Sequence, residues 1–201
     1  MDARQRQRIV DKHSDSFTRF GYHPNALYWS GRDIQELRFK VLAYIGIQAH
    51  DAVLDVGCGF GDLYTWSKAN QCPLDYTGID LSPDLLDHAQ ECHPDATFFT
   101  GDLFDLETTT NHFDWVVLSG ALNEQLHDDS AYAYRIIRRM YQLCKKGVAF
   151  NMLDARHINA HDLHSQQPST VIKFCQTLSK DVTLYDTYLQ NDFTIHIQKN
   201  N

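Results

Sequence analysis

The 201 residues fit one folding unit, able to bury about 70% of the surface its unfolded chain exposes, so no second domain is invoked. With 43% hydrophobic and 22% charged residues the composition is that of a soluble globular protein, and no apolar stretch approaches the roughly 18 residues of a membrane helix. A net charge of -8 disfavours non-specific attraction to a phosphate backbone, and the polar, mixed-charge start lacks a signal core, which sets the expected location in the cytoplasm.

In chain order, helical patterns come first, near 3–20 and 33–46, separated by the aromatic stretch GYHPNALYWSGRD. Asp33 is expected to cap the second helix, with Glu36 completing a capping box. Residues 1–50 read as a helical cap on a core at 51–201, the two forming one domain. Apolar, β-rich runs then recur at 52–58, 75–80, 96–102, 113–120 and 147–153, and helical patterns lie between most of them, at 61–70, 82–92 and 129–145. Alternation of this kind implies right-handed crossovers and a doubly wound, mostly parallel α/β sheet. After a helix near 169–179, with Pro168 suited to its first turn, VTLYDTY and DFTIHIQK are separated only by LQN. A gap that short holds no crossover helix, so the last two strands form a hairpin and the sheet, seven-stranded, ends antiparallel.

The first strand carries VLDVGCGFGDLY, placing Gly57, Gly59 and Gly61 on a strand-to-helix turn. Such turns bring the backbone close to a nucleotide and aim unpaired N–H groups at it. The dinucleotide fingerprint G-x-G-x-x-G wants a third glycine where Asp62 stands. Asp55 at the strand's end repels a pyrophosphate and attracts a cationic amine. GIDLS puts Asp80 at the end of the second strand, where a carboxylate can take both hydroxyls of a ribose, and TGDLF puts Asp102 at the end of the third, beside an adenine amino group.

These residues resemble the class I S-adenosylmethionine-dependent methyltransferases over about 53–199, including the antiparallel last strand. The chain looks like the small stand-alone bacterial members. By that resemblance Asp55, Gly57, Cys58, Gly59 and Gly61 line the methionine and ribose part of S-adenosylmethionine. Asp80 takes the ribose hydroxyls, Leu81 packs on the adenine, and Asp102 with Leu103 meets its amino edge. Ser119, at the end of the fourth strand, joins this site. The product is S-adenosylhomocysteine. Tyr28, with Tyr22 and Trp29, is expected to close over the cofactor, and Arg38 to pair with its methionine carboxylate; the alternative for Arg38 is a solvated position on a helix anchored by Leu37, Phe39 and Leu42.

On the substrate side the resemblance singles out LSGALNEQLHDD, with Asn123 and Glu124 as catalytic candidates and Glu124 as a base where the acceptor must shed a proton. His157, His161 and His164 read as an acceptor-lining or solvated loop, not a metal site. The five cysteines include no C-x-x-C pair and read as reduced thiols. Small cap segments suit a small-molecule acceptor at oxygen or nitrogen, with no membrane or nucleic-acid partner, in a monomer or homodimer. The competing readings are an RNA or protein methyltransferase, a non-catalytic S-adenosylmethionine-binding module and, disfavoured by Asp55 and Asp62, an NAD-binding protein.

Overall fold

A computed structural model describes residues 1–158 and 160–199. Two helices, α1 (Ala3–Phe20) and α2 (Arg32–Ala43), precede the sheet. Then β1 (Ala52–Val56), α3 (Asp62–Ala69), β2 (Asp75–Asp80), α4 (Pro83–Cys92), β3 (Thr97–Thr100) and β4 (Phe113–Leu118) follow one another. The chain continues through α5 (Ala131–Leu143), β5 (Cys144–Asp154), β6 (Ser165–Gln166) and α6 (Pro168–Cys175) to β7 (Val182–Tyr185) and β8 (Asp192–Gln198).

The main path of the sheet runs β3-β2-β1-β4-β5-β8-β7. Pairs from β3 to β5 are parallel, whereas β8 runs antiparallel to both β5 and β7. The terminal hairpin therefore has the form that its short connection requires. The two-residue β6 adds an eighth, unexpected strand, pairing with Leu153 and Asp154. The strand ends carrying sequence motifs lie side by side because β1 is central: Asp55 stands in register with Gly78 of β2 and Val117 of β4.

Strand alternation sorts the core into two layers. Leu54, Val56, Val116, Leu118, Val148 and Phe150 face α5 and α6, where Ile136, Ile137, Met140 and Val171 meet them. Val53, Tyr76, Trp115, Val117 and Ala149 face the opposite layer, with Phe39 and Leu42 of α2 and Leu63 of α3. Among the described residues no helix is long and apolar enough to cross a membrane.

The helix caps differ from expectation. Gly31, not Asp33, caps α2, and it makes no side-chain cap bond; Asp33 lies in the first turn. A complete capping box instead starts α1, where Asp2 accepts from Gln5 N at 2.8 Å and the Gln5 side chain accepts from Asp2 N at 2.8 Å. Pro168 does stand in the first turn of α6.

Candidate functional site

The turn after β1 owes its shape to glycine. Gly57, Gly59 and Gly61 have φ of 71°, 54° and 73°, where side chains are strained. A Cβ on Gly57 would overlap the Cβ of Ala121, and one on Gly59 would stand 2.9 Å from Leu27. The turn is tied to the neighbouring strand's end. Gly59 N donates to Asp80 Oδ2 at 2.9 Å, and Ser82 N donates to Asp80 Oδ1 at 3.0 Å. Each carboxylate oxygen thus keeps lone-pair capacity for a ligand, from a fixed position.

A cavity of about 490 Å³ opens over these strand ends. Gly57, Gly59, Asp80, Leu81, Asp102 and Leu103 line one part of it. Ser119, Asn123 and Glu124 form the wall beyond β4, and Tyr28 and Arg38 reach in from the N-terminal segment. Asp102 is buried, accepting from the Tyr132 hydroxyl at 2.8 Å and from Phe104 N at 3.2 Å.

Asp55, Cys58 and Gly61 do not line this cavity. The period-2 geometry of β1 sends Asp55 to the same layer as Val53, while Val56 faces the cavity. There Asp55 is buried and accepts a 2.7 Å hydrogen bond from Tyr76 Oη. Burial pushes its carboxyl up to about 7, opposed by the Tyr76 hydrogen bond and reinforced by Asp80 and Asp62. Contrary to the expectation from sequence, the Asp55 side chain does not face an amine in the cavity. Cys58 is likewise buried, with its sulfur against Gly78, and burial pushes its thiol up. Gly61 faces His93 and Phe98.

Where a dinucleotide site wants glycine, Asp62 instead fastens the N-terminal segment. Its carboxylate accepts from Tyr22 Oη at 2.8 Å, Gln35 Nε2 at 2.9 Å and Arg32 at 3.2 Å. Tyr22 is spent on this contact and on packing against Phe60 and His88, away from the cavity it was expected to cover. Arg38 is neither solvated nor free: it is buried, ion-paired with Asp192 of β8, and its guanidinium lies 4.5 Å from the Trp29 ring. Burial raises the Asp192 carboxyl to about 6, with Arg38 opposing.

The long helix α1 roofs the cavity, with Ile9, Lys12 and His13 facing in. Polar contacts pin it along both rims. Gln5 and Arg8 donate to the carbonyls of Leu126 and Gln125 at 2.8 and 2.7 Å, and Arg6 pairs with Asp105 at 2.6 Å. Further along, Lys12 pairs with Glu124 at 2.5 Å, and Ser14 donates to Asp84 at 2.5 Å.

Glu124 is therefore an ion-pair partner, not a free carboxylate. Asn123 ties its own loop to the sheet: its Oδ1 accepts from Leu153 N at 3.2 Å and its carbonyl from His164 N at 2.9 Å. Of the loop histidines only His164 lines the cavity, and its segment is not helical. Burial lowers the His164 imidazole below its ordinary value. Several residues at the site escaped sequence reasoning, among them Lys12, His13, Tyr132 and Asn151. Asn151 is fully buried, accepts from Gly120 N at 2.9 Å and donates to Ser119 Oγ at 3.2 Å, so it holds the turn after β4. Its signal was a lone amide in the apolar run GVAFNML.

Comparison with known proteins finds methyltransferases. The family described as "Methyltransferase domain" matches residues 53–147. A Mycobacterium tuberculosis protein named as a methyltransferase is 31% identical over 160 residues, covering 74% of this chain and 93% of the relative. A Schizosaccharomyces pombe protein, also named as a methyltransferase, is 34% identical over 105 residues, or 48% of this chain and 40% of that one. Among solved structures, the magnesium protoporphyrin IX methyltransferase of Synechocystis with bound S-adenosylmethionine superposes with a TM-score of 0.71. That match has 18% identity and covers 100% of this chain and 98% of the other, a likeness of fold.

Proposed function

The chain belongs to the class I S-adenosylmethionine-dependent methyltransferases, and on that premise we propose that it methylates an oxygen or nitrogen of a small molecule held beneath α1. The observation that carries this reading is the joining of the glycine turn and Asp80 in one roofed cavity.

The residues present fit the cofactor. Asp80, fixed by two backbone N–H groups, offers acceptors to the ribose hydroxyls. Leu81 and Leu103 offer apolar contact to the adenine, and Asp102 an acceptor to its amino edge. The bare backbone of Gly57 and Gly59, with Ser119, takes the methionine end. When bound, the sulfonium supplies an activated methyl group and loses its charge as the methyl leaves.

What remains for the chain is to hold the nucleophile and exclude water. Positioning of this kind supplies about 7–11 kcal/mol of a barrier. Asn123 and Glu124 face the acceptor, and Asn123 is braced by β5. With Lys12 on one of its oxygens, Glu124 serves better as an acceptor that orients an O–H or N–H group than as an isolated base. The roof formed by α1 favours a compact acceptor over a duplex. Three of the basic residues are engaged within the molecule and not with a polyanion: Arg6 with Asp105, Arg8 with the Gln125 carbonyl and Lys146 with Asp51.

The test is transfer of labelled methyl groups from S-adenosylmethionine to fractionated cell extract. Label in the low-mass fraction is expected. Label confined to RNA or protein would replace the small-molecule reading, and no transfer to any fraction would leave a cofactor-binding module.

A further inference from the structure

A second cavity, of about 480 Å³, adjoins the first. Ser130 and His164 line both, so the two spaces meet at these residues. Pockets of about 300–1,000 Å³ each enclose one drug-sized ligand, and a cofactor made of a nucleoside and an amino acid is a ligand of that size. The first cavity, at about 490 Å³, therefore has room for the cofactor and the reacting end of an acceptor, while the rest of the acceptor needs space of its own.

Two loops build the second cavity. The run after β4 supplies Gln125, His127 and Asp129, and the segment of β6 and α6 supplies Gln166 and Thr170. The first loop is strained: His127, Asp129 and Ser130 stand at φ 53°, 52° and 69°, left-handed values for residues other than glycine. Such backbone persists where its surroundings enforce it, and it clusters at ligand sites. Here Gln125 Oε1 accepts from His127 N at 3.0 Å, and Ser130, itself buried, accepts from Gln166 Nε2 at 2.5 Å.

The lining selects the ligand's chemistry. His127, Asp129 and Thr170 are exposed, and Gln125, Tyr134 and Gln166 are half-buried, so a ligand can reach them. Their amides, hydroxyls and imidazole intermix donors with acceptors. An acyl chain would leave these groups unpaired. Among the described residues lining this cavity there is no Lys or Arg to pair with a phosphate or carboxylate. An uncharged ligand with hydroxyls around its whole edge suits such a wall, and a sugar ring has that form.

We infer that the second cavity binds a sugar, the part of the acceptor that extends from beneath α1 past Ser130 and His164. The inference rests on the reading that the protein methylates a small molecule in the first cavity.

Thr170 and His127 line the second cavity and not the first, so Thr170→Trp and His127→Trp fill it from opposite loops. Saturation-transfer NMR on the protein loaded with S-adenosylhomocysteine uses the methyl glycosides of glucose, galactose, mannose and xylose as probes. Ring-proton signal from at least one glycoside is expected in the wild type and in Thr170→Ser, and about tenfold less in either Trp variant. Calorimetry should find S-adenosylhomocysteine bound by all three variants within about twofold of the wild-type affinity. Label transfer to the low-mass fraction should fall about tenfold in both Trp variants.

No signal from any glycoside, or signal that both Trp variants leave intact, overturns the inference, as does wild-type label transfer in those variants. The functional reading survives these results as long as the wild type labels the low-mass fraction. If the wild type labels nothing of low mass, that reading falls and the inference falls with it.

Discussion

Replacing Asp55 by asparagine isolates the consequence of burying a carboxyl beneath the glycine turn. The side chain is buried, its hydrogen-bond donor among the described residues is Tyr76 Oη at 2.7 Å, and burial pushes the carboxyl from 3.8 up to about 7. In the unfolded chain the same group ionises near 3.9. Between these values the folded protein retains a proton that the unfolded chain has released. The associated stability is therefore complete below about pH 4, declines as pH rises, and is gone above about pH 7. Asparagine accepts from Tyr76 in the same way and does not titrate. A rise of about 3 at 1.36 kcal/mol each sets a ceiling of about 4 kcal/mol on the difference. Urea unfolding of both proteins at pH 4, 5, 6, 7 and 8 should show Asp55→Asn gaining on the wild type as pH rises, by roughly 2–4 kcal/mol at pH 8 relative to pH 4. Parallel stability curves would refute the assignment of Asp55 to a buried, protonated layer.

Three further perturbations test the same construction. Asp62→Ala strips a buried carboxylate from Tyr22, Gln35 and Arg32 and should lower stability by about 2–4 kcal/mol in urea; a loss under about 1 kcal/mol contradicts its role as the fastening of the N-terminal segment. Gly57→Ala forces a Cβ against Ala121 and should abolish measurable S-adenosylhomocysteine binding, with partial recovery in Gly57→Ala/Ala121→Gly; unaltered binding in the single variant would contradict the close approach at this turn. Asp80→Ala removes charge-assisted hydrogen bonds to the ribose and should weaken S-adenosylhomocysteine binding about ten- to hundredfold by calorimetry, whereas unchanged affinity would leave Asp80 as a residue that only braces the glycine turn.

Local patterns made much of the fold legible. Alternating strands and helices announced the doubly wound sheet, and the three residues LQN demanded the antiparallel hairpin of β7 and β8. That Gly57, Gly59, Asp80 and Asp102 line one cavity was legible because strand ends in a parallel sheet converge, and a motif at such an end needs no knowledge of distant partners. Side-chain direction was harder. Asp55 stands one residue from Val56, yet strand parity sends the two to opposite layers. Partners remote in sequence were hidden altogether. Arg38 meets Asp192, and Lys12 meets Glu124, across separations that no local pattern encodes. Helix α1 lies in the segment that reads as a helical cap, but what holds it was not legible: Ile9 and Ser16 are buried along it, and Gln5 and Arg8 meet carbonyls remote in sequence.

A cavity built for a methionine-bearing nucleoside should refuse a dinucleotide. Parallel calorimetric titrations of the purified protein with S-adenosylmethionine, S-adenosylhomocysteine and NAD test it most directly. Saturable one-to-one binding of the first two and none of NAD is expected, while equal binding of NAD, or binding of NAD alone, would overturn the assignment of the cofactor.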